Sequence, residues 1–364
     1  MVKLSRKQSR NNSRNNSRNN SRNNSRKSRK TKKQEIIGTS KGVVKNTYEN
    51  PIVSIDKKNG VTIIVVKKMM SDSQISNCEA DYFDNNHYKH TINSDTDCYR
   101  IDENGDKILL AKFRKRVIPD HLSKLGMKNL KKAAMQKHDN RGASAGKIDV
   151  SKMPKYANNP KLFHGKSKFR ILGYYSKITG KFVNNSLGNQ SKSNIIGYFD
   201  KRDRNLGVGA PPCRTTAFTS QQYEKYKETI PLIKAIDRQF KKLIPDRHKI
   251  QHEQAHKTPK FVIADTSFST VTINYNWRTA LHKDAGDLKE GYGNLVVLEE
   301  GKYKGGETGF PQYGVCVDVR QGDFLAMDVH EWHCNTKLVP ISKDYTRLSM
   351  VAYLRENMIR CKKL

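Results

Sequence analysis

The stretch RTALHKDAGD places a histidine and an aspartate two residues apart, His282 and Asp284. On an extended backbone residues i and i+2 project to the same side, so one imidazole and one carboxylate there can share a cation while Lys283 points away. The plain alternative is a charged turn on a solvated surface. A third ligand would decide between them, and VHEWHCN offers two histidines, His330 and His333, just after the strand-like GDFLAMD. Two histidines and one carboxylate on one face of a metal leave three positions open, the ligand set of non-haem Fe(II) oxygenases. Those open positions take a co-substrate and dioxygen.

A second pattern lies near the C-terminus. RLSMVAYLR alternates, with Leu348, Met350, Ala352 and Leu354 on one face and Arg347, Ser349, Val351, Tyr353 and Arg355 on the other. A guanidinium on a dry face is costly unless an anion pairs with it. Arg347 with Ser349 would suit the distal carboxylate of 2-oxoglutarate; a water-facing strand is the alternative.

These residues sit in a β-rich half. From residue 261 the runs FVIA, STVTINYN, NLVVLEE, GVCVDV, DFLAMD and RLSMVAYLR are short, β-prone and separated by glycine and charged turns. Two helices are expected upstream. One spans 120–137, and the other carries Tyr223, Tyr226, Ile230, Ile233, Ile236, Phe240 and Leu243 at steps of three and four, with Pro231 kinking or dividing it. VTIIVVKK (61–68) reads as a strand, 71–98 as a polar loop or insertion, and 98–115 as two strands around Glu103-Asn104-Gly105-Asp106. DNRGASAG (139–146) breaks the helical pattern with a glycine-bearing turn. Strands downstream of helices suggest an α+β protein with a β-sandwich or barrel braced by helices, not alternating βαβ units.

Composition adds a partner class. Lys and Arg number 69 against 35 acidic residues, a formal charge of +34. Residues 1–34 hold 13 of the basic residues and no acidic one, leaving +21 on the remaining 330. The RNNS repeat from Arg10 to Arg26 has almost nothing apolar to offset the entropy of ordering, so 1–47 is expected to be a disordered basic arm that either binds nucleic-acid phosphates, the reading favoured by the basic body, or keeps the protein soluble and addresses it. The expected divisions are then 1–47 (arm), 48–94 (variable segment), 95–260 (helical and β support with substrate binding) and 261–364 (catalytic core). No apolar run approaches the roughly 20 residues of a membrane helix, and there is no signal-peptide core. Six cysteines without paired spacing suit free thiols in a reducing, intracellular compartment.

INYNWRTALHKDAGD, YKGGETGFPQYGVCVDVRQGDFLAMDVHEWHCN and YTRLSMVAYLR together resemble the 2-oxoglutarate/Fe(II) oxygenase superfamily, most closely the TET/JBP group that oxidises methylated pyrimidines in nucleic acid. The resemblance covers about residues 95–358 and is specific in the last 90. It implies a double-stranded β-helix, the jelly-roll type of sandwich, using Fe(II), 2-oxoglutarate and dioxygen. His282 and Asp284 fall on its first two iron ligands and His333 on the third, 51 residues after His282 and followed by Cys334-Asn335; His330 is then a neighbour. Arg347 and Ser349 fall on the 2-oxoglutarate pair, with Arg278 as a further candidate. A base inside a duplex must be flipped out to reach iron, and the resemblance assigns base contacts to Asp287, Arg355 and Asn140. It departs at Arg355, where the family often has histidine. The implied substrate is 5-methylcytosine first, with thymine and N6-methyladenine as alternatives, in DNA or RNA, and the implied compartment is the nucleus or a site of DNA replication.

Two rivals remain at this level. GGETGFP (305–311) also resembles the segment before the last histidine of prolyl hydroxylases, which hold 2-oxoglutarate with a lysine about ten residues on; Lys343 stands there, in a turn-like PISKDY. A non-catalytic nucleic-acid binder on the same fold would be favoured by loss of a ligand, yet all three are present. If the basic arm neutralises phosphates, removing residues 1–34 lowers affinity for duplex DNA and flattens the slope of log affinity against log salt; an unchanged slope in fluorescence anisotropy titrations would exclude that role.

Overall fold

The computed structural model describes residues 48–149, 169–176, 178–200 and 213–361. The expected arm and its RNNS repeat lie outside them. The centre is an eleven-stranded mixed sheet whose main path runs, by strand, 52–58, 61–66, 96–101, 107–114, 324–327, 293–300, 346–353, 270–275, 191–200 and 213–215, with Lys137–His138 pairing off it. Neighbours are antiparallel except Val61–Val66 with Thr96–Ile101. This sheet draws strands from 48–94, 95–260 and 261–364 alike, so it crosses both divisions expected within the folded region.

Alternation along each strand decides what lies on either side. Leu348, Met350 and Ala352 join Val271, Ile273, Val296 and Leu298 in one buried cluster. That face is covered by the helices Asp120–Ala134 and Tyr223–Leu243, which contribute Leu122, Met127, Leu130, Leu232, Ile233, Ile236 and Phe240. On the opposite face Leu295, Val297, Leu325 and Met327 pack against Phe310, Tyr313, Val315 and Val317, residues of or beside a four-stranded sheet ordered 334–335, 308–310, 315–317 and 90–92. Two sheets thus face each other across one core, braced by helices on the outer side: the sheet-rich α+β plan expected. Among the described residues no helix is long and apolar enough to cross a membrane.

Four expectations are corrected. The helix Tyr223–Leu243 is not divided at Pro231; its buried stripe outweighs the loss of one helical hydrogen bond. Residues 71–98 are not a plain loop: Ser71 caps the helix Asp72–Asn77 in a reciprocal capping box with Gln74, and His90–Ile92 extends the smaller sheet through Val315–Val317. FVIA is no strand, because Pro259–Phe261 forms a 3-10 turn and Ala264 and Asp265 both take positive φ. Finally, Cys213 and Cys361 form a disulfide, 148 residues apart in sequence, a separation that spacing rules do not register; Cys98, Cys316 and Cys334 are thiols.

The helix layer sits close to the sheet at Gly126, where an added Cβ would lie 2.6 Å from Leu232 Cδ2 and 3.0 Å from Leu298 Cδ1. Replacing Gly126 with valine therefore forces two packed leucines apart and should lower unfolding stability by about 1–3 kcal/mol; a denaturant midpoint equal to wild type would refute this packing.

Candidate active site

The pocket-facing side of the sheet carries the chemistry. Thr272, Asn274, Arg347, Ser349, Val351, Tyr353 and Arg355 line one cavity of about 210 Å³ with His282, Asp284, Asp287 and His333. The inward face read from RLSMVAYLR is therefore the wall of a pocket.

His282 and His333 lie opposite each other and exchange backbone hydrogen bonds, His282 N to His333 O and His333 N to His282 O, each 3.0 Å. Asp284 N donates to Val329 O at 3.0 Å, fixing the third member beside them. Ligand atoms of His282, Asp284 and His333 all fall within 4.8 Å of one another. His282 Nδ1 lies 2.8 Å from Ala280 O, and His333 Nδ1 lies 2.9 Å from Glu331 O. A carbonyl can only accept, so each Nδ1 carries the proton and each Nε2 presents a lone pair toward Asp284. Nε2 of His282 and of His333 stand 3.5 and 3.8 Å from the carboxylate oxygens of Asp284. His330 is not part of this group: it pairs with Asp328, which raises its pKa.

Arg347 is the largest fully buried side chain, 1% exposed. One terminal nitrogen donates to Gly306 O at 3.0 Å, while its Nε meets no hydrogen-bond partner among the described residues. Gly306 at φ +81 lets the backbone come this close, since a Cβ there would lie 3.1 Å from Arg347 Nε. Ser349 Oγ accepts from Asn274 Nδ2 at 3.3 Å, and Asn274 Oδ1 is buried and unpartnered. A buried cation with an open donor, flanked by a hydroxyl and an amide, fits a carboxylate.

Arg278 does not join them. Its guanidinium donates to Asn335 O, Phe83 O and Asp84 and stacks on Tyr82, outside the pocket lining. Asn140 is exposed, whereas Arg141 beside it lines the cavity. Lys343 is exposed and outside the pocket lining, which leaves GGETGFP as the feature on the prolyl-hydroxylase side.

At the other end of the pocket Asp287 and Arg355 form a backbone bridge. Asp287 Oδ2 is buried without a partner; burial, and then the negative Asp284, hold its carboxyl well above the usual range despite Arg355. Arg355 is anchored by Asp200, 2.6 Å from Nε, and Asp200 also accepts from Asn357 Nδ2 at 3.0 Å. Sequence reading missed Arg141, Asn274 and Asp200. Only Asn274 left a signal: it shares the strand face opposite Val271 and Ile273.

Residues 194–356 match the family model Tet_JBP, the oxygenase domain of the 2OGFeDO superfamily. That stretch is similar to Tet_JBP oxygenase domains. This superfamily works with Fe(II) and 2-oxoglutarate, and the residues present fit both: His282, Asp284 and His333 offer three ligand atoms, and Arg347 offers a buried, partly unpaired cation. Among curated relatives, thymine dioxygenase JBP1 of Trypanosoma brucei brucei is 36% identical over 170 residues, 46% of this chain and 20% of that protein. JBP1-B of Trypanosoma cruzi is 37% identical over 166 residues, 45% and 19%. JBP1 of Leishmania braziliensis is 31% identical over 221 residues, 60% and 25%. The chain thus spans about a fifth to a quarter of the length of these relatives. The solved structure of NgTET1 in complex with 5mC DNA aligns with a TM-score of 0.44 at 12% identity, over 84% of this chain and 85% of that one.

Burial, then the neighbouring His333, push the His282 imidazole down from 6.5 to about 4, with Asp284 opposing. A depressed histidine pKa means that between about pH 6.5 and 4 the unfolded chain binds a proton the folded one refuses. Stability of the metal-free protein should therefore fall as pH drops through that window, by as much as about 3 kcal/mol. Urea unfolding at pH 7 and 4.5 measures it, and the His282→Asn variant should show a shallower loss; an identical loss would assign the effect elsewhere.

Proposed function

We propose that the protein is an Fe(II)- and 2-oxoglutarate-dependent dioxygenase that oxidises the methyl group of a flipped-out nucleobase in nucleic acid, on a double-stranded β-helix. The observation that carries this reading is the His282–Asp284–His333 cluster with both Nε2 lone pairs turned inward, in one pocket with Arg347. Iron and 2-oxoglutarate would supply the oxidising power. The chain's own part is positional. His282, Asp284 and His333 would hold the metal, Arg347 and Ser349 would hold the distal carboxylate of 2-oxoglutarate, and the cavity walls would exclude bulk water.

Asp287, Arg355 and Arg141 supply the means to read a base edge. An ionised Asp287 would accept from N4 of cytosine or N3 of thymine; held neutral by its surroundings, it can instead donate to a carbonyl. With two guanidinium groups on the same wall, donors outnumber acceptors. The pairing edges of thymine and 5-methylcytosine each present two acceptors and one donor position, so the preference for thymine rests on the JBP1 relatives, which are named thymine dioxygenases. DNA is the proposed carrier, with the basic body and arm contacting phosphate, and an intracellular, nuclear location follows from that substrate. N6-methyladenine and a protein side chain stand as lesser readings.

The test is anaerobic reconstitution with Fe(II) and 2-oxoglutarate, then exposure to air with duplex DNA containing both thymine and 5-methylcytosine, following succinate and oxidised bases by mass spectrometry. We expect succinate together with 5-hydroxymethyluracil, both reduced at least about 100-fold in His333→Ala. Hydroxymethylcytosine alone would return the substrate to 5-methylcytosine. Succinate without any modified base would keep the oxygenase and remove the nucleobase assignment.

A further inference from the structure

A second group of metal-ligating side chains lies outside the pocket and has no part in the chemistry above. His252 is in the last turn of the helix Pro245–Ala255, and His256 caps its C-terminus one turn later, so the two rings stack with centroids 3.9 Å apart. Asp265 reaches them from the turn that follows: its Oδ1 lies 2.8 Å from His256 Nε2. Ligand atoms of His252, His256 and Asp265 all fall within 4.8 Å of one another. We propose that these three residues form a second metal site, which takes a borderline divalent cation such as Zn(II) and clamps the helix end to the turn before the strand Thr270–Tyr275.

The geometry supports a metal beyond a plain ion pair. His256 Nδ1 lies 2.8 Å from His252 O and Nε2 lies 2.8 Å from Asp265 Oδ1; both oxygens only accept, so without a metal the ring donates from both nitrogens, and a cation would take the place of the Nε2 proton. Two imidazoles stacked this closely repel one another when protonated, and a shared cation removes that conflict while using both. Asp265 follows backbone that costs energy: Ala264 sits at φ 45, a conformation that L residues other than Asn and Asp rarely take. Two imidazole nitrogens and one carboxylate oxygen leave a fourth tetrahedral position for water, and the site is open to it, the Asp265 side chain being 86% exposed.

The surroundings give such a clamp a mechanical consequence. Gln251, adjacent to His252, donates to Ser267 O at 3.0 Å. Ser269, at the end of the same turn, donates its N–H to Tyr353 O and accepts from Arg355 N on its Oγ. A cation joining His252, His256 and Asp265 would therefore brace the turn against which Arg355 is seated.

The experiment uses the full chain carrying His333→Ala, so that the oxygenase site is weakened, and equilibrium dialysis against Zn(II) with metal counted by mass spectrometry. We expect about one bound Zn(II) per chain and a rise in melting temperature on adding it. Both should be lost when either His256→Ala or Asp265→Ala is added; Asp265 is exposed enough that its removal leaves the fold intact. With Co(II) as probe, the visible d–d bands should disappear in the same two variants. Zn(II) bound equally with and without His256 and Asp265, or no Zn(II) bound at all, would overturn the proposal and leave His256–Asp265 an ordinary ion pair. Because the readouts are metal content and melting temperature, failure here leaves the oxygenase reading standing, and failure of that reading leaves this one testable.

Discussion

The reciprocal hydrogen bonds between the backbones of His282 and His333 are the constraint on which the pocket depends. They join the segment that follows the strand Thr270–Tyr275 to the segment that follows Phe324–Met327, two pieces of chain 51 residues apart. Once these backbones are paired, the two imidazoles face each other, and Asp284, two residues along and tied to Val329, can only close the same triangle. The neighbouring carbonyls of Ala280 and Glu331 then choose the tautomers. The geometry of the cluster is thus set by main-chain pairing.

Much of this was legible in the residues themselves. Alternation in RLSMVAYLR assigns Arg347 and Ser349 to the pocket and Leu348 and Met350 to the helix layer, because period-two patterning carries burial directly. The two-residue spacing of His282 and Asp284 carries shared direction. What was not legible came from distance along the chain. Asp200 meets Arg355 across 155 residues, Cys213 meets Cys361 across 148, and no local rule pairs either. Arg278 was misplaced for a different reason: proximity in sequence to His282 says nothing about direction, and its charge is consumed by Asp84 and two carbonyls. Asn140 and Arg141 show the same limit at one residue, since a turn can present either side chain.

The two ends of the pocket differ in how they treat charge. Around Arg347 a lone cation faces a hydroxyl and an amide, so it can wait for an anion. Around Arg355 the charge is already answered by buried Asp200, and the acid facing the pocket, Asp287, is pushed toward its neutral form. One end is therefore suited to bind a charged co-substrate by electrostatics, and the other to discriminate an uncharged ring by hydrogen-bond pattern.

Arg347 also has a thermodynamic meaning. A guanidinium that is 1% exposed and only partly satisfied is a standing cost to the folded chain. Any small dicarboxylate that pairs with it returns that free energy to the fold, by about 2.7 kcal/mol at a hundred times its dissociation constant. An anion at this end of the pocket would then act on the stability of the whole fold and not only on the site.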